Sequence, residues 1–127
     1  MSHQRLVMKA CAALLPVMAA AQAYPTKPIR VVLPVPAGGT PDVLARTVAP
    51  GMAALLGQQL VIDNRGGAGG RIAAELVATA APDGYTVFMT SPPCLTILPH
   101  MSKVPYSTLT DFVPVSLIST GPMCWAP

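Results

Sequence analysis

Apolar and polar positions alternate between two periods along this chain. Ile29–Val35, IRVVLPV, is a nearly continuous apolar run rich in β-branched residues. Strict alternation marks a strand with one wet face, whereas an unbroken run predicts a strand buried on both faces. A glycine loop follows, and then Leu44, Val48, Met52 and Leu55 recur at a spacing that places them on one face of a helix. That helix is expected to take Thr40 as N-cap and Pro41 as its first residue, and to stop at Gly57. Pro50-Gly51 interrupts it. A proline inside a helix costs ~3 kcal/mol, so a kink or two short helices are expected around Ala49. Gln59–Asn64 predicts a second strand, Arg71–Ala81 an alanine-rich helix stopped by Pro82-Asp83-Gly84, and Tyr85–Thr90 a third strand. Strand, helix, strand, helix, strand at this pitch predicts an α/β fold, a doubly wound and mostly parallel sheet with right-handed crossovers.

Beyond Thr90 the pattern weakens. Ser91–Ser107 is proline-rich, with a short helix expected near His100–Lys103, and Asp111–Thr120 reads as a fourth strand. Fourteen of the 15 prolines lie after Ala23, well above the average of ~5%. They fall mostly at element ends, which fits punctuation of a compact fold better than a disordered tract.

The residues before Tyr24 follow another logic. Arg5 and Lys9 precede a short apolar stretch, Ala10–Ala21, and Ala21-Gln22-Ala23 has the form of an A-x-A cleavage site. That is the layout of a secretory signal peptide, so residues 1–23 are expected to be removed by cleavage after Ala23. A membrane span needs about 20 apolar residues, and this run is shorter and broken by Pro16. The mature chain is therefore expected not to span a membrane. Six Lys and Arg and five Asp and Glu remain after Ala23, a net +1, so the overall pI of about 9.0 belongs largely to the leader. With no basic run interleaved with aromatics, nucleic acid is not an expected partner.

Catalytic and metal-binding patterns are missing. There is no G-x-S-x-G elbow, His100 is the only histidine after the leader, and the carboxylates are scattered singly. Cys94 and Cys124 have neither a second cysteine nor a histidine at metal-ligand spacing, so no metal and no cofactor is expected. Export permits them to pair, but spacing alone does not bring them within bridging distance.

The candidate chemistry lies in two glycine stretches, PAGGTPD (Pro36–Asp42) and NRGGAGGR (Asn64–Arg71). Each runs from a strand end into a helix start, the edge at which doubly wound sheets bind ligands. A helix start leaves N–H groups without partners and adds about half a positive charge; glycine lets an anion approach that backbone. Asp42 has two readings, capping its own helix start or meeting a ligand's ammonium or hydroxyl. GGAGGRIA is not G-x-G-x-x-G, and no G-K-[ST] follows either loop, so both nucleotide templates fail.

Three runs carry a resemblance to a known family: YPTKPIRVVLPVPAGGTPDVLAR, LGQQLVIDNRGGAGGRIAAELVATAAPDGYTVFM and VPYSTLTDFVPVSLIST. In order and spacing the chain resembles the Bug-type periplasmic substrate-binding receptors of tripartite tricarboxylate transporters from about Tyr24 to Thr120. The resemblance implies the first part of a two-lobed periplasmic-binding-protein (Venus-flytrap) fold, not an enzyme, located in the periplasm. It implies capture of a small carboxylate (a di- or tricarboxylate, an amino acid or a related acid) for the transporter's membrane subunits. Carried over residue by residue, the ligand-binding positions are Ala37, Gly38, Gly39, Thr40, Asp42 and Ser91; the glycine pattern by itself adds Gly67, Ala68, Gly69 and Gly70 as a second candidate loop.

PPCL (Pro92–Leu95) departs from the small polar residues usual there, and GPMCWAP (Gly121–Pro127) departs from the usual apolar strand. By this resemblance, residues 24–110 are expected to form the N-terminal part of the first lobe and residues 111–127 the start of a crossover strand in a truncated copy. A frameshift at the end would produce that pattern. Two alternatives stay open: a non-functional remnant, and a phosphate- or nucleotide-binding α/β fragment of an enzyme.

Overall fold

The computed structural model describes residues 24–120. The leader with its cleavage site, and Cys124 with its pairing to Cys94, lie outside the described residues. Three parallel strands, β1 (Ile29–Leu33), β2 (Leu60–Asn64) and β3 (Thr86–Phe88), form a sheet in the order β2-β1-β3. Ile29 pairs with Leu60 and Leu33 with Asn64, while Arg30 pairs with Thr86 and Val32 with Phe88. The continuous apolar run is thus the central strand, and its burial explains its composition: Val32 and Leu33 are fully buried.

Successive residues of β1 face opposite sides of the sheet. Val31 and Leu33 cluster with Ala45 of helix α1 (Thr40–Leu56), flanked by Val35, Leu60, Ile62 and Met89. Val32 faces the other side, where α2 (Arg71–Ala78) lies against β3 and β1. The crossover from β1 leads to its neighbour β2, and the crossover from β2 passes over β1 to β3. With both right-handed, the helices take opposite faces, which makes the sheet doubly wound. The loops leaving β1 and β3 therefore diverge at the switch point where such sheets bind ligands.

Several elements differ from the sequence expectation. α1 is one continuous helix through Pro50, not two, and Pro50 sits on its exposed side. There the ring meets solvent and the one lost N–H bond is tolerated, because packing of Ala45 and its neighbours holds the helix to the sheet. Its N-cap is Gly39, with Thr40 already helical, and it ends at Gly57 in the left-handed conformation. Pro92-Pro93 opens a short helix, α3 (Pro93–Thr96), followed by α4 (Leu98–Met101). Proline is well suited to a first helical turn. Asp111–Thr120 forms no strand. Phe112 stacks 5.9 Å from Phe88 on the α2 side, whereas Ile118 reaches an apolar groove with Val48, Met52, Val87 and Met89 on the α1 side. The segment thus wraps the β3 edge instead of pairing with it, and Pro114 has no N–H to give to a ladder.

Two clamps hold the rim. The Tyr24 hydroxyl donates to the Gly84 carbonyl (2.6 Å), the Thr26 amide donates to the Tyr85 hydroxyl (2.9 Å), and Lys27 Nζ lies 4.3 Å from the Tyr85 ring centroid. YPTK and APDGY are thus one contact. In the second, buried Tyr106 donates its hydroxyl to the Cys94 carbonyl (2.9 Å) and meets Phe112 edge-on at 5.7 Å. Tyr106→Phe leaves that carbonyl without its donor and is expected to cost about 1–2 kcal/mol in urea unfolding; an unchanged urea midpoint would show that the bond contributes nothing net.

Candidate anion site at the strand ends

The β1–α1 loop is built around one carboxylate. After Leu33 the chain turns at Pro36, whose carbonyl accepts from the Gly39 amide at 3.3 Å, and Gly38 takes φ +88°. Asp42, in the first turn of α1 and only 3% exposed, accepts from the Gly38 amide (2.8 Å). Arg46, one helical turn on, places its Nε 3.1 and 3.0 Å from the two Asp42 oxygens. Asn64 at the end of β2 adds its Nδ2 to Asp42 Oδ1 (3.1 Å) and to the Val35 carbonyl (3.2 Å). Arg46 Nη2 closes the circuit on Asn64 Oδ1 at 3.4 Å. The Arg46 hydrogen bond first, then the Gly38 amide, hold the Asp42 carboxyl down at about 2 against the opposing effect of burial.

This network decides which amides remain. The Gly38 and Gly39 N–H groups are taken by the protein's own acceptors, and the first intrahelical bond runs from Val43 to Gly39 at 3.0 Å. Among the described residues, the N–H groups of Ala37, Thr40 and Asp42 have no protein acceptor. Ala37 and Thr40 are exposed, and the Thr40 hydroxyl lies on the same turn. Of Asp42's two readings, its carboxylate follows the first: it organises the helix start, and the backbone N–H is its free group.

The second glycine stretch is held by a different set of bonds. Asp63 receives Arg30 Nε at 2.8 Å and Arg65 Nε at 2.9 Å. Burial works against its ionised form, but the two arginines outweigh it, so the Asp63 carboxyl is held below its usual range. Arg65 N donates to the Leu33 carbonyl at 2.7 Å, extending the ladder toward the first loop. Ala68–Gly70 then forms a 3-10 turn, with Gly70 donating to Gly67 at 2.9 Å, and Cys94 Sγ donating to the Gly69 carbonyl at 3.3 Å. Gly67, Ala68 and Gly69 are exposed, whereas Gly70 is buried against Cys94 and Pro34. Ser91 is exposed in the loop after β3, at the same edge of the parallel sheet. The described residues hold no group of three or more His, Cys, Asp or Glu side chains that could hold a metal ion. No helix among them is long and apolar enough to cross a membrane.

Arg46 and Asn64 were not among the sequence-based candidates. Arg46 was visible in principle as an i,i+4 partner of Asp42; Asn64 became a partner only through the β1–β2 register.

Residues 44–126 match the family model described as the tripartite tricarboxylate transporter family receptor. The chain belongs to this family. The matched residues contain the second glycine loop and begin just after Asp42. The chain is 42% identical over 105 residues to protein BugT of Bordetella pertussis, covering 81% of this chain and 32% of that protein. It is 38% identical over 124 residues to a protein of Agrobacterium vitis from the TAR-I ttuE-ttuC' intergenic region, covering 97% of this chain and 36% of that protein. It thus spans about a third of the length of these relatives. Among solved structures it is similar to MatC of Rhodopseudomonas palustris with bound malate, with a TM-score of 0.65 and 38% identity over 75% of this chain and 33% of that one. A second R. palustris structure, with adipate, matches at TM-score 0.50 and 46% identity over 51% of this chain and 22% of that chain. The α/β sheet is therefore part of the two-lobed periplasmic-binding-protein fold, and the family is one of receptors, not of enzymes. The alternative of an enzyme fragment falls with that membership.

Proposed function

We propose that this chain supplies the ligand-anchoring edge of an extracytoplasmic receptor that captures a small carboxylate for a tripartite tricarboxylate transporter. The observation that carries this reading is the start of α1, where the Ala37, Thr40 and Asp42 amides have no acceptor among the described residues, at the β1–β3 switch point. Hydrogen bonds from such amides to a charged group are worth ~1.5–3 kcal/mol each, and the helix dipole adds to them. Three such bonds approach the ~8 kcal/mol of micromolar binding. The malate and adipate in the similar structures support a dicarboxylate as ligand. In this reading the Thr40 hydroxyl and Ser91 add donors, and the Gly67–Gly69 turn borders the same edge. In this reading residues 1–23 direct export and are then removed by cleavage after Ala23, and the membrane subunits of the transporter are the partners.

A thermal-shift panel tests it. Malate, adipate and succinate are expected to raise the melting temperature, since a ligand at 100 times its Kd stabilises by about 2.7 kcal/mol. A response to ATP or NAD with none to dicarboxylates would reverse the assignment, and silence across the panel would favour a remnant that binds nothing.

A further inference from the structure

The proposed anion cradle contains an acidic residue. Asp42 lies in the same helical turn whose amides are free, so an uncompensated carboxylate there would place negative charge beside the incoming anion. The geometry points to Arg46 as a positioning residue for anion selectivity: braced by Asn64, it cancels the Asp42 charge and lets an acidic helix start accept a carboxylate. This inference rests on the receptor reading above.

The guanidinium straddles both Asp42 oxygens through Nε and uses Nη2 to reach Asn64 Oδ1. Asn64 in turn holds Asp42 Oδ1 and the Val35 carbonyl, so the end of β2 fixes both partners. The groups facing the carboxylate are Arg46 from α1, Asn64 from β2 and the Gly38 amide from the loop; the nearby Asp63 is itself paired with Arg30 and Arg65. Asp42 is buried, whereas the Arg46 side chain is 55% exposed. Nothing in the network requires Arg46 to touch a ligand. Its part is to hold the carboxylate neutralised and turned back toward the loop, away from acting as a charge of its own at the helix start.

The test separates charge from packing. Arg46→Gln is expected to weaken malate binding by roughly tenfold or more, because like charges brought together in a binding site are strongly unfavourable. Arg46→Lys, which keeps the charge, is expected to restore most of that loss. The double variant Asp42→Asn with Arg46→Gln, which removes both charges, should bind malate better than Arg46→Gln alone; a merely structural role predicts the opposite order. Carbon-13 titration of the Asp42 carboxyl supplies a readout that needs no ligand: Arg46→Gln should move it up from about 2 toward the ordinary 3.8. Unchanged Asp42 titration in Arg46→Gln, malate affinity equal to the unmutated chain, or a double variant weaker than the single overturns the inference. Failure of the unmutated chain to bind malate, adipate or succinate overturns the receptor reading itself, whatever the titration shows; where adipate or succinate binds and malate does not, the same variants are read with that ligand.

Discussion

Gly70→Ala is expected to destabilise the chain by about 3 kcal/mol or more. Two independent costs meet at this position. Gly70 caps the start of α2 at φ +92°, a conformation that side-chain-bearing residues rarely adopt. A Cβ added there would also overlap the sulfur of Cys94 and lie 2.9 Å from Cβ of Pro34. Neither neighbour can yield cheaply, because Cys94 is buried with Tyr106 donating to its carbonyl, and Pro34 leads directly out of the central strand. Urea unfolding should show a lower midpoint with an unchanged slope. Two companions separate the costs. Cys94→Ala in the Gly70→Ala background should recover part of the loss but not all, since the backbone strain and Pro34 remain. Gly51→Ala, in the middle of α1 with open space around it, should be stabilising by about 0.5–1 kcal/mol. A Gly70→Ala midpoint equal to that of the unmutated chain would show that the loop relaxes freely and that its glycines do not mark a packing point.

Gly70 also shows how two similar glycine-rich stretches divide in their packing. Read as a string, PAGGTPD and NRGGAGGR look alike, glycine pairs leading into two helix starts. In the structure the first keeps exposed amides free, while the second spends its last glycine on close approach of α2, Cys94 and Pro34. The difference comes from what is packed behind each loop. Cys94 arrives there from a helix that Pro92-Pro93 initiates, 24 residues beyond Gly70.

The same reasoning explains which elements were legible. The central strand was plain, because a strand covered on both faces reads as a nearly continuous apolar run, and Gly57 was a sound stop for α1. Asp111–Thr120 misled because strand-like composition describes what a residue tolerates, whereas a strand also needs a free edge in register. Here the chain crosses that edge, leaving Val113, Val115 and Leu117 exposed. Helix α1 passed through Pro50 because the position faces solvent, a fact set by tertiary packing. For the candidate site, the sequence located the edge and the loop, but the division of amides into used and free depended on Arg46 and Asn64 meeting around Asp42.

Acid is expected to unfold the chain between about pH 4 and pH 2. Four carboxylates are held below their ordinary range, each bonded to groups that the fold brings beside it. Asp42, held by Arg46 and the Gly38 amide, ties the first loop and α1 to β2. Asp63, against the cost of its burial, bridges Arg30 of β1 and Arg65 of the second loop. Asp83 is held chiefly by the Tyr85 amide, with Lys27 fastening the N-terminal segment to it, and Asp111 by the Ser107 amide beside the Tyr106 clamp. Because the folded values lie below the unfolded ones, the unfolded chain binds more protons in this window, so stability rises with pH through it. The stabilisation is complete above the unfolded value of about 3.8 and disappears as pH falls through the folded values, about 2 for Asp42. The urea midpoint should therefore be level above pH 5 and fall steeply below pH 4. Asp42→Asn should start from a lower midpoint at pH 7 and show a shallower fall, having already lost one of the four contributions. A midpoint that stays constant from pH 5 to pH 2.5 would mean that these carboxylates are as free in the folded chain as in the unfolded one, and the Asp42 network would lose its role as the fastening of the proposed anion site.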